Sequence, residues 1–371
     1  MLLWVLVTII TLVDNTDLSV PGKGQQARTY ELYSRVARKV EVRLVTHSVR
    51  NRERLDWASQ VVTIVTPPER LAAWVGGPDA LPKLITAARG SDLIVVEHTY
   101  GIERWSPIAA RILGLPLVYD SHGNEAEVCK DLKCKASIIP FERNIYRSAD
   151  AVVTISEAVW SEAARLYKIG TKKHLVLPPG RRDIKCRDRK FRDRLKSWGF
   201  IRDEIVAVMH GSLDYGPNIE ALRLLIETTK GAHRKHNLVF VIAGASRGLR
   251  PGWLSDSVLY VGFVEDLDDF LCSADVAIAL NLSGSGVHMK VIDYISAGLP
   301  LVATLKSLEG LPIEALRGYP LKLVRPPKED ITKAVVELAE LRRGPFSGRA
   351  NLPTWDEQAE NLLRFLSSLI R

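Results

Sequence analysis

Cysteine is scarce in this 371-residue chain, and the four present, Cys129, Cys134, Cys186 and Cys272, form no CxxC pair. Neither a metal site nor the disulfide framework of a small secreted domain follows from such spacing, so a reducing, cytoplasmic setting is the default expectation. Aromatic-interleaved RNA motifs and zinc-finger spacings are missing too, which leaves nucleic acid as the least expected partner. Long apolar runs are also lacking. The opening MLLWVLVTIITLVD is strongly apolar, but it is shorter than the about 20 residues that cross a bilayer, and no basic region or small-residue cleavage site accompanies it. Its Val, Ile and Thr content predicts a buried first strand rather than a membrane anchor.

What remains is an ordinary globular composition, 46% hydrophobic and 25% charged, at a length that suits two domains. The net charge of +8 is unevenly spread: Arg181 to Trp198 holds nine Lys or Arg against three Asp. A run of this kind is expected to be a solvated helix face, with anionic lipid or a nucleotide as alternative partners.

Short β-branched runs alternate with amphipathic helical stretches along the whole chain, the pattern of parallel sheets covered by helices on both faces. Strands are predicted at Val5 to Leu12, Val40 to Thr46, Val61 to Val65, Leu93 to Glu97, Leu117 to Asp120, Ala151 to Ile155 and His174 to Leu177. After PPGRRD a second series follows: Ile205 to His210, Leu238 to Ala243, Val258 to Val261, Val276 to Leu280 and Leu301 to Thr304. The expected fold is α/β, with two doubly wound, Rossmann-like domains facing each other across a cleft. The first spans 1–178 and the second 179–347; residues 348–371 form a helix, with Thr354 as N-cap and Glu357 three residues on, packing back on the first. Ligands of such folds bind beside the carboxyl edges of the strands, so the edge loops carry the functional argument.

Five of those loops are PGKGQQARTYEL, YDSHGNEAE, ERNIYRSADAVVTISEA, HGSLDYGPNIEAL and SGSGVHMKVIDYISAGLPLVAT. In this order and at these intervals the chain resembles the retaining, nucleotide-sugar-dependent glycosyltransferases of group 1, or family 4, with the GT-B fold. The resemblance covers nearly the whole sequence. It implies transfer of a sugar, a hexose, from a nucleoside diphosphate to a hydroxyl with net retention, and no metal or other cofactor. No Asp-x-Asp metal signature stands in a suitable loop.

The family's Glu-x7-Glu pair falls here on Ser285 and Asp293. The resemblance implies that Asp293 meets the ribose and Ser285 the sugar, both with less reach than glutamate. Lys290, four residues after Gly286, is implied to neutralise the diphosphate beside the backbone N–H groups of Gly284, Ser285 and Gly286, where a helix N-terminus already favours an anion. Positions that carry Arg and Lys in other members are Ser212 and Asn218 here, next to Gly211, so that loop brings no cation. Val264, in VGFVED, lies in the stretch implied to read the base through the main chain. Gly24, in GKGQQART, either lets the chain pass close to the reacting centre or simply forms a left-handed turn.

His122 ends the strand LPLVYDSH, where relatives place a histidine that faces the transferred sugar and shields the developing oxocarbenium ion. As a loop residue it is expected to tolerate alanine without loss of fold. Glu125 and Glu127 rank behind it, as carboxylates that a helix start also favours. Lys130, Lys133, Lys135, Arg143 and Arg147 mix with Ile138, Ile139 and Phe141, which suggests an anionic membrane surface on the cytoplasmic face and a lipid-linked acceptor, with a soluble glycan as the alternative. The departures at Ser212, Asn218, Ser285 and Asp293 also suit a GT-B-shaped binding or scaffold subunit with weak turnover.

Overall fold

A computed structural model describes residues 7–19, 24–64, 79–99, 101–123, 132–186, 188–284, 286–327, 329–342 and 350–370. The chain divides into two compact units, Met1–Pro179 with Trp355–Arg371, and Gly180–Thr354.

The first unit is built on seven strands: Ile9–Asp14 (β1), Glu41–Thr46 (β2), Gln60–Thr63 (β3), Leu93–Val96 (β4), Leu117–Ser121 (β5), Ala151–Thr154 (β6) and Lys173–Val176 (β7). They lie in the order β3-β2-β1-β4-β5-β6-β7, and each neighbouring pair is parallel. The order reverses between β1 and β4, so the ends of these strands form the crevice where doubly wound sheets take ligands. The anticipated first strand starts later than its apolar letters suggest, at Ile9; residues 1–6 lie outside the described residues. Helix Trp355–Ser367 buries Trp355, Leu362, Leu363 and Leu366, and its outer face meets the end of helix Gly24–Val36 and the turn after it through Lys39–Glu360 at 2.7 Å and Arg38–Asp356 at 3.3 Å. Those pairs are exposed and add little, so the buried apolar face holds the helix.

The second unit also has seven strands: Ile205–His210 (β8), Leu238–Ala243 (β9), Gly252–Trp253 (β10), Val258–Gly262 (β11), Val276–Ala279 (β12), Leu301–Ala303 (β13) and Leu321–Leu323 (β14), ordered β10-β11-β9-β8-β12-β13-β14. Only the short edge strand β10 runs antiparallel. Alternation along a strand splits its side chains between two layers. Val206, Val208, Val239 and Val241 join one buried cluster, while Ala207, Met209, Phe240 and Ile242 join the other. With both faces covered, β9 is buried at every position.

One expectation is corrected here. Cys186 and Cys272 are bonded, with Cα atoms 5.1 Å apart. Their separation of 86 residues hides a proximity that only the tertiary fold creates. The basic run 181–198 includes helix Lys190–Ser197, which buries only Phe191 and Leu195 and is otherwise largely exposed, as expected of a solvated face, and much of its charge is paired: Arg182 with Asp268, Arg189 and Arg192 with Asp275, Arg194 with Asp269 and Lys196 with Asp203. Among the described residues no helix is long and apolar enough to cross a membrane.

Candidate functional site

At the crevice of the first unit the parallel strands deliver polar side chains into a buried cluster. Asp14 ends β1, Glu97 and His98 follow β4, Asp120 lies in β5 and His122 follows it, all less than 10% exposed. Helix Gly24–Val36 lays Arg28, Thr29 and Tyr33 against them. The Arg28 guanidinium grips Asp120 with two nitrogens, Nη1 to Oδ2 at 3.0 Å and Nη2 to Oδ1 at 2.9 Å. Tyr33 adds its hydroxyl to Asp120 at 3.1 Å, and Thr29 donates to Glu97 at 2.8 Å. His122 Nε2 touches Glu97 Oε2 and lies 3.1 Å from Arg28 Nη1.

Four buried carboxyl groups, of Asp14, Glu97, Glu103 and Asp120, share one guanidinium and two imidazoles, so burial raises all four above their ordinary range. The His122 imidazole goes the other way: burial, with the Arg28 charge added, pushes it down to about 3. The ring is neutral at any physiological pH. Glu97, Asp120 and His122 bring ligand atoms within 4.8 Å of one another, a set able to hold a cation. Arg28 already occupies Asp120 and His122 with positive charge, so a divalent ion there would meet repulsion.

In the second unit the order reverses between β8 and β12. β8 runs into Gly211, whose φ is +137°, and any Cβ there would lie 2.7 Å from Asn218 Nδ2. That amide donates to Ser212 O at 2.8 Å, and its oxygen accepts from Lys290 Nζ at 2.6 Å. Lys290 sits in the first turn of helix Met289–Ser296, whose N-terminus no side chain caps. Gly284, at φ +108°, brings the preceding loop so close that a Cβ would lie 3.3 Å from the Tyr215 hydroxyl.

The Lys290 side chain is 9% exposed, and burial lowers its ammonium to about 8. Among the described residues no carboxylate pairs with it. His210 and His288 feel this charge: burial and then Lys290 push them down to about 3 and about 4. One turn along the helix, Asp293 Oδ1 meets Arg182 Nη2 at 3.2 Å, and Oδ2 lies 3.4 Å from His210 Nε2. An uncapped helix start, a glycine loop and a buried ammonium with no carboxylate partner among the described residues are features that favour an anion.

Residues 23–180 match the model of the glycosyl transferase 4-like domain, and residues 204–340 match that of glycosyl transferases group 1. The chain belongs to the group 1 glycosyltransferases. Solved structures share its fold. HepE from Anabaena, in complex with UDP, is 16% identical with a TM-score of 0.66, over 98% of this chain and 97% of that one. A glycosyltransferase from Rickettsia africae is 12% identical with a TM-score of 0.70, over 99% of both chains. WaaG, a glycosyltransferase involved in lipopolysaccharide biosynthesis, is 14% identical with a TM-score of 0.60, over 97% of this chain and 99% of that one. None of the curated proteins matches the sequence. At these identities the likeness establishes the GT-B fold.

In this group 1 glycosyltransferase the anticipated residues fall in both units. Gly211, Ser212, Gly284 and Lys290 gather around Asn218 and Tyr215, and Gly286, at φ +76°, follows in the same loop. Val264 is half-buried in the loop after β11 and packs on the core. Gly24 is the exposed first residue of its helix, one turn before Arg28. Ser285, Glu125 and Glu127 lie outside the described residues. His122 comes directly after its strand rather than ending it, and its ring is only 3% exposed and belongs to the buried polar cluster, so alanine there would not leave the surroundings undisturbed. Arg28, Glu97 and Asp120 escaped the sequence reading. Their one trace was a carboxylate ending an otherwise apolar strand, in LIVVEH and LVYDSH.

Proposed function

We propose that this glycosyltransferase moves a hexose from a nucleoside diphosphate to a hydroxyl with retention, on a lipid-linked or glycan acceptor at the cytoplasmic face of a membrane. The observation that carries the donor half is Lys290: a buried ammonium without a carboxylate calls for an anion from outside the chain. A diphosphate fits, with Lys290 on its oxygens and the N–H groups of Gly284 and Gly286 beside it. Gly211 and Ser212 shape the floor of that site, Val264 lies in the loop for the base, and Asp293 takes the ribose. UDP bound to HepE supports the class of donor.

In the reaction the bond from sugar C1 to the phosphate oxygen breaks, and a bond from C1 to the acceptor oxygen forms on the same face. The acceptor proton passes to the departing phosphate. Negative charge grows on that phosphate while positive charge grows on the sugar, so Lys290 and the loop amides stabilise the transition state where it differs most from the substrate. Gly24 lies near the reacting centre, and His122 faces the sugar. Its neutrality matters, because an imidazolium would repel an oxocarbenium ion.

The acceptor half rests on exposed side chains of the first unit: Ile108, Ile112 and Phe141 are exposed, the Arg104 guanidinium lies 3.4 Å from the centre of the Phe141 ring, and Arg143 is exposed. The neighbouring acid, Glu142, is buried and accepts from Tyr167 at 2.7 Å. Basic side chains at an anionic surface gain about 1 kcal/mol each while apolar ones enter the interface. Sedimentation with anionic and neutral liposomes tests this: binding to anionic vesicles that salt reverses is expected. A protein that stays in the supernatant throughout makes a soluble glycan the better acceptor. Incubation with UDP-, GDP- and ADP-sugars, followed by release of the nucleoside diphosphate and the anomeric configuration of the product, tests donor and retention.

A further inference from the structure

Arg182 stands just after the turn PPG, at the point where the chain enters the second unit. Its backbone N–H donates to Ser296 Oγ at 3.0 Å, which docks the segment on the helix that carries Lys290 and Asp293. Its guanidinium divides between two carboxylates, Nη1 to Asp268 Oδ1 at 2.7 Å and Nη2 to Asp293 Oδ1 at 3.2 Å. The segment is held on either side. Arg181 donates from its backbone to Pro353 O at 2.8 Å and from Nε to Leu352 O at 3.1 Å, and Cys186 is bonded to Cys272.

The Arg182 and Asp293 side chains are 26% and 17% exposed, so their pairing adds little to stability, and solvent and ligands reach the carboxylate. An aspartate is short and swings about two torsions unless something holds it. We infer that Arg182 is a positioning residue of the donor site: it fixes Asp293 through Oδ1, so that the ribose hydroxyls of a nucleoside diphosphate meet Oδ2 on the His210 side. This rests on the donor reading above. Asp268, on the neighbouring helix Leu267–Cys272, holds the other edge of the guanidinium and keeps it from following a ligand. Lysine cannot take this place, since a point charge does not bridge two carboxylates as a planar fork does.

The test is calorimetry on the full chain with UDP, GDP and ADP, then with the 2′-deoxy form of whichever binds, for the wild type, Arg182→Ala and Arg182→Lys. Arg182→Ala is expected to weaken the ribonucleotide about tenfold, in line with one lost charge-assisted positioning contact. It should also erase the preference for ribose over deoxyribose, while Arg182→Lys recovers only part of each. In turnover the loss should fall on the donor KM rather than kcat. A thermal melt within a few degrees of the wild type shows that folding is not the cause, and Arg182→Lys serves if the alanine variant fails to fold. If the wild type prefers ribose and both variants keep that preference and affinity, the positioning role is wrong while the donor reading stands. If the wild type binds none of the three diphosphates, both are overturned.

Discussion

Lys290 Nζ lies 2.6 Å from Asn218 Oδ1, and this amide oxygen, with no formal charge, is what the buried ammonium has in place of a counter-ion. The folded protein therefore carries a cost, which the proposed diphosphate would relieve. Because the folded ammonium titrates near 8 and the unfolded one near 10.5, the penalty is complete below about pH 8 and fades as pH rises towards 10.5. Its size is on the order of 3 kcal/mol. Lys290→Met should raise the stability of the unliganded protein at pH 7 in urea unfolding and narrow the difference from the wild type at pH 10. A variant less stable than the wild type at pH 7 would show that the lysine already has a structural partner.

His122 should not titrate between pH 5 and 8 in the folded protein, because burial and Arg28 hold its imidazole down at about 3. Proton-coupled chemical shifts of the ring check this directly, and a midpoint near 6.5 would contradict the buried network. His122→Asn should lower turnover at least tenfold while keeping a polar group beside Glu97, in line with loss of a positioned group. His122→Ala should cost a further roughly 1–3 kcal/mol of stability, since Glu97 and Arg28 each lose a buried partner.

Arg28→Met leaves Asp120 buried without its guanidinium and should destabilise the first unit by about 3–5 kcal/mol. Adding Asp120→Asn should restore part of that loss, because the uncompensated charge is removed. Urea unfolding of the two single variants and the double one measures the coupling. Simple additivity would mean that the 2.9 and 3.0 Å contacts do not act as a pair.

The sequence announces much of this frame and little of its polar interior. All seven strands of the first sheet were marked by β-branched runs, and β8 and β9 match their runs to the residue. β10 and β14 were not, because strands of two and three residues at an edge bury too little to impose alternation on the sequence. Lys290 was legible since a glycine loop precedes it in the same helix start. Arg28 and Asp120 stand 92 positions apart and meet only when helix and sheet pack. Asn218 could be read only as a missing cation; its use as the acceptor for Lys290 depends on the turn at Gly211.

The bond between Cys186 and Cys272 ties the entry segment of the second unit to helix Leu267–Cys272. Cys272→Ala, or a reductant added to the wild type, should lower stability by about 2–5 kcal/mol, the usual range for loss of a native disulfide. Differential scanning calorimetry with and without reductant measures it. Identical melts in the two buffers would mean that the bond holds nothing together.

The central claim is that the loop and helix around Lys290 hold a nucleoside diphosphate. Calorimetric titration of the wild type and Lys290→Met with UDP, GDP and ADP tests it most directly. At least one diphosphate should bind the wild type, more weakly as pH rises past about 8, because only the protonated ammonium attracts it. Lys290→Met should lose roughly 10- to 100-fold of that affinity, the usual range for a hydrogen bond to a charged group. Equal affinity in the two proteins, or no binding of any of the three to the wild type, would contradict the account.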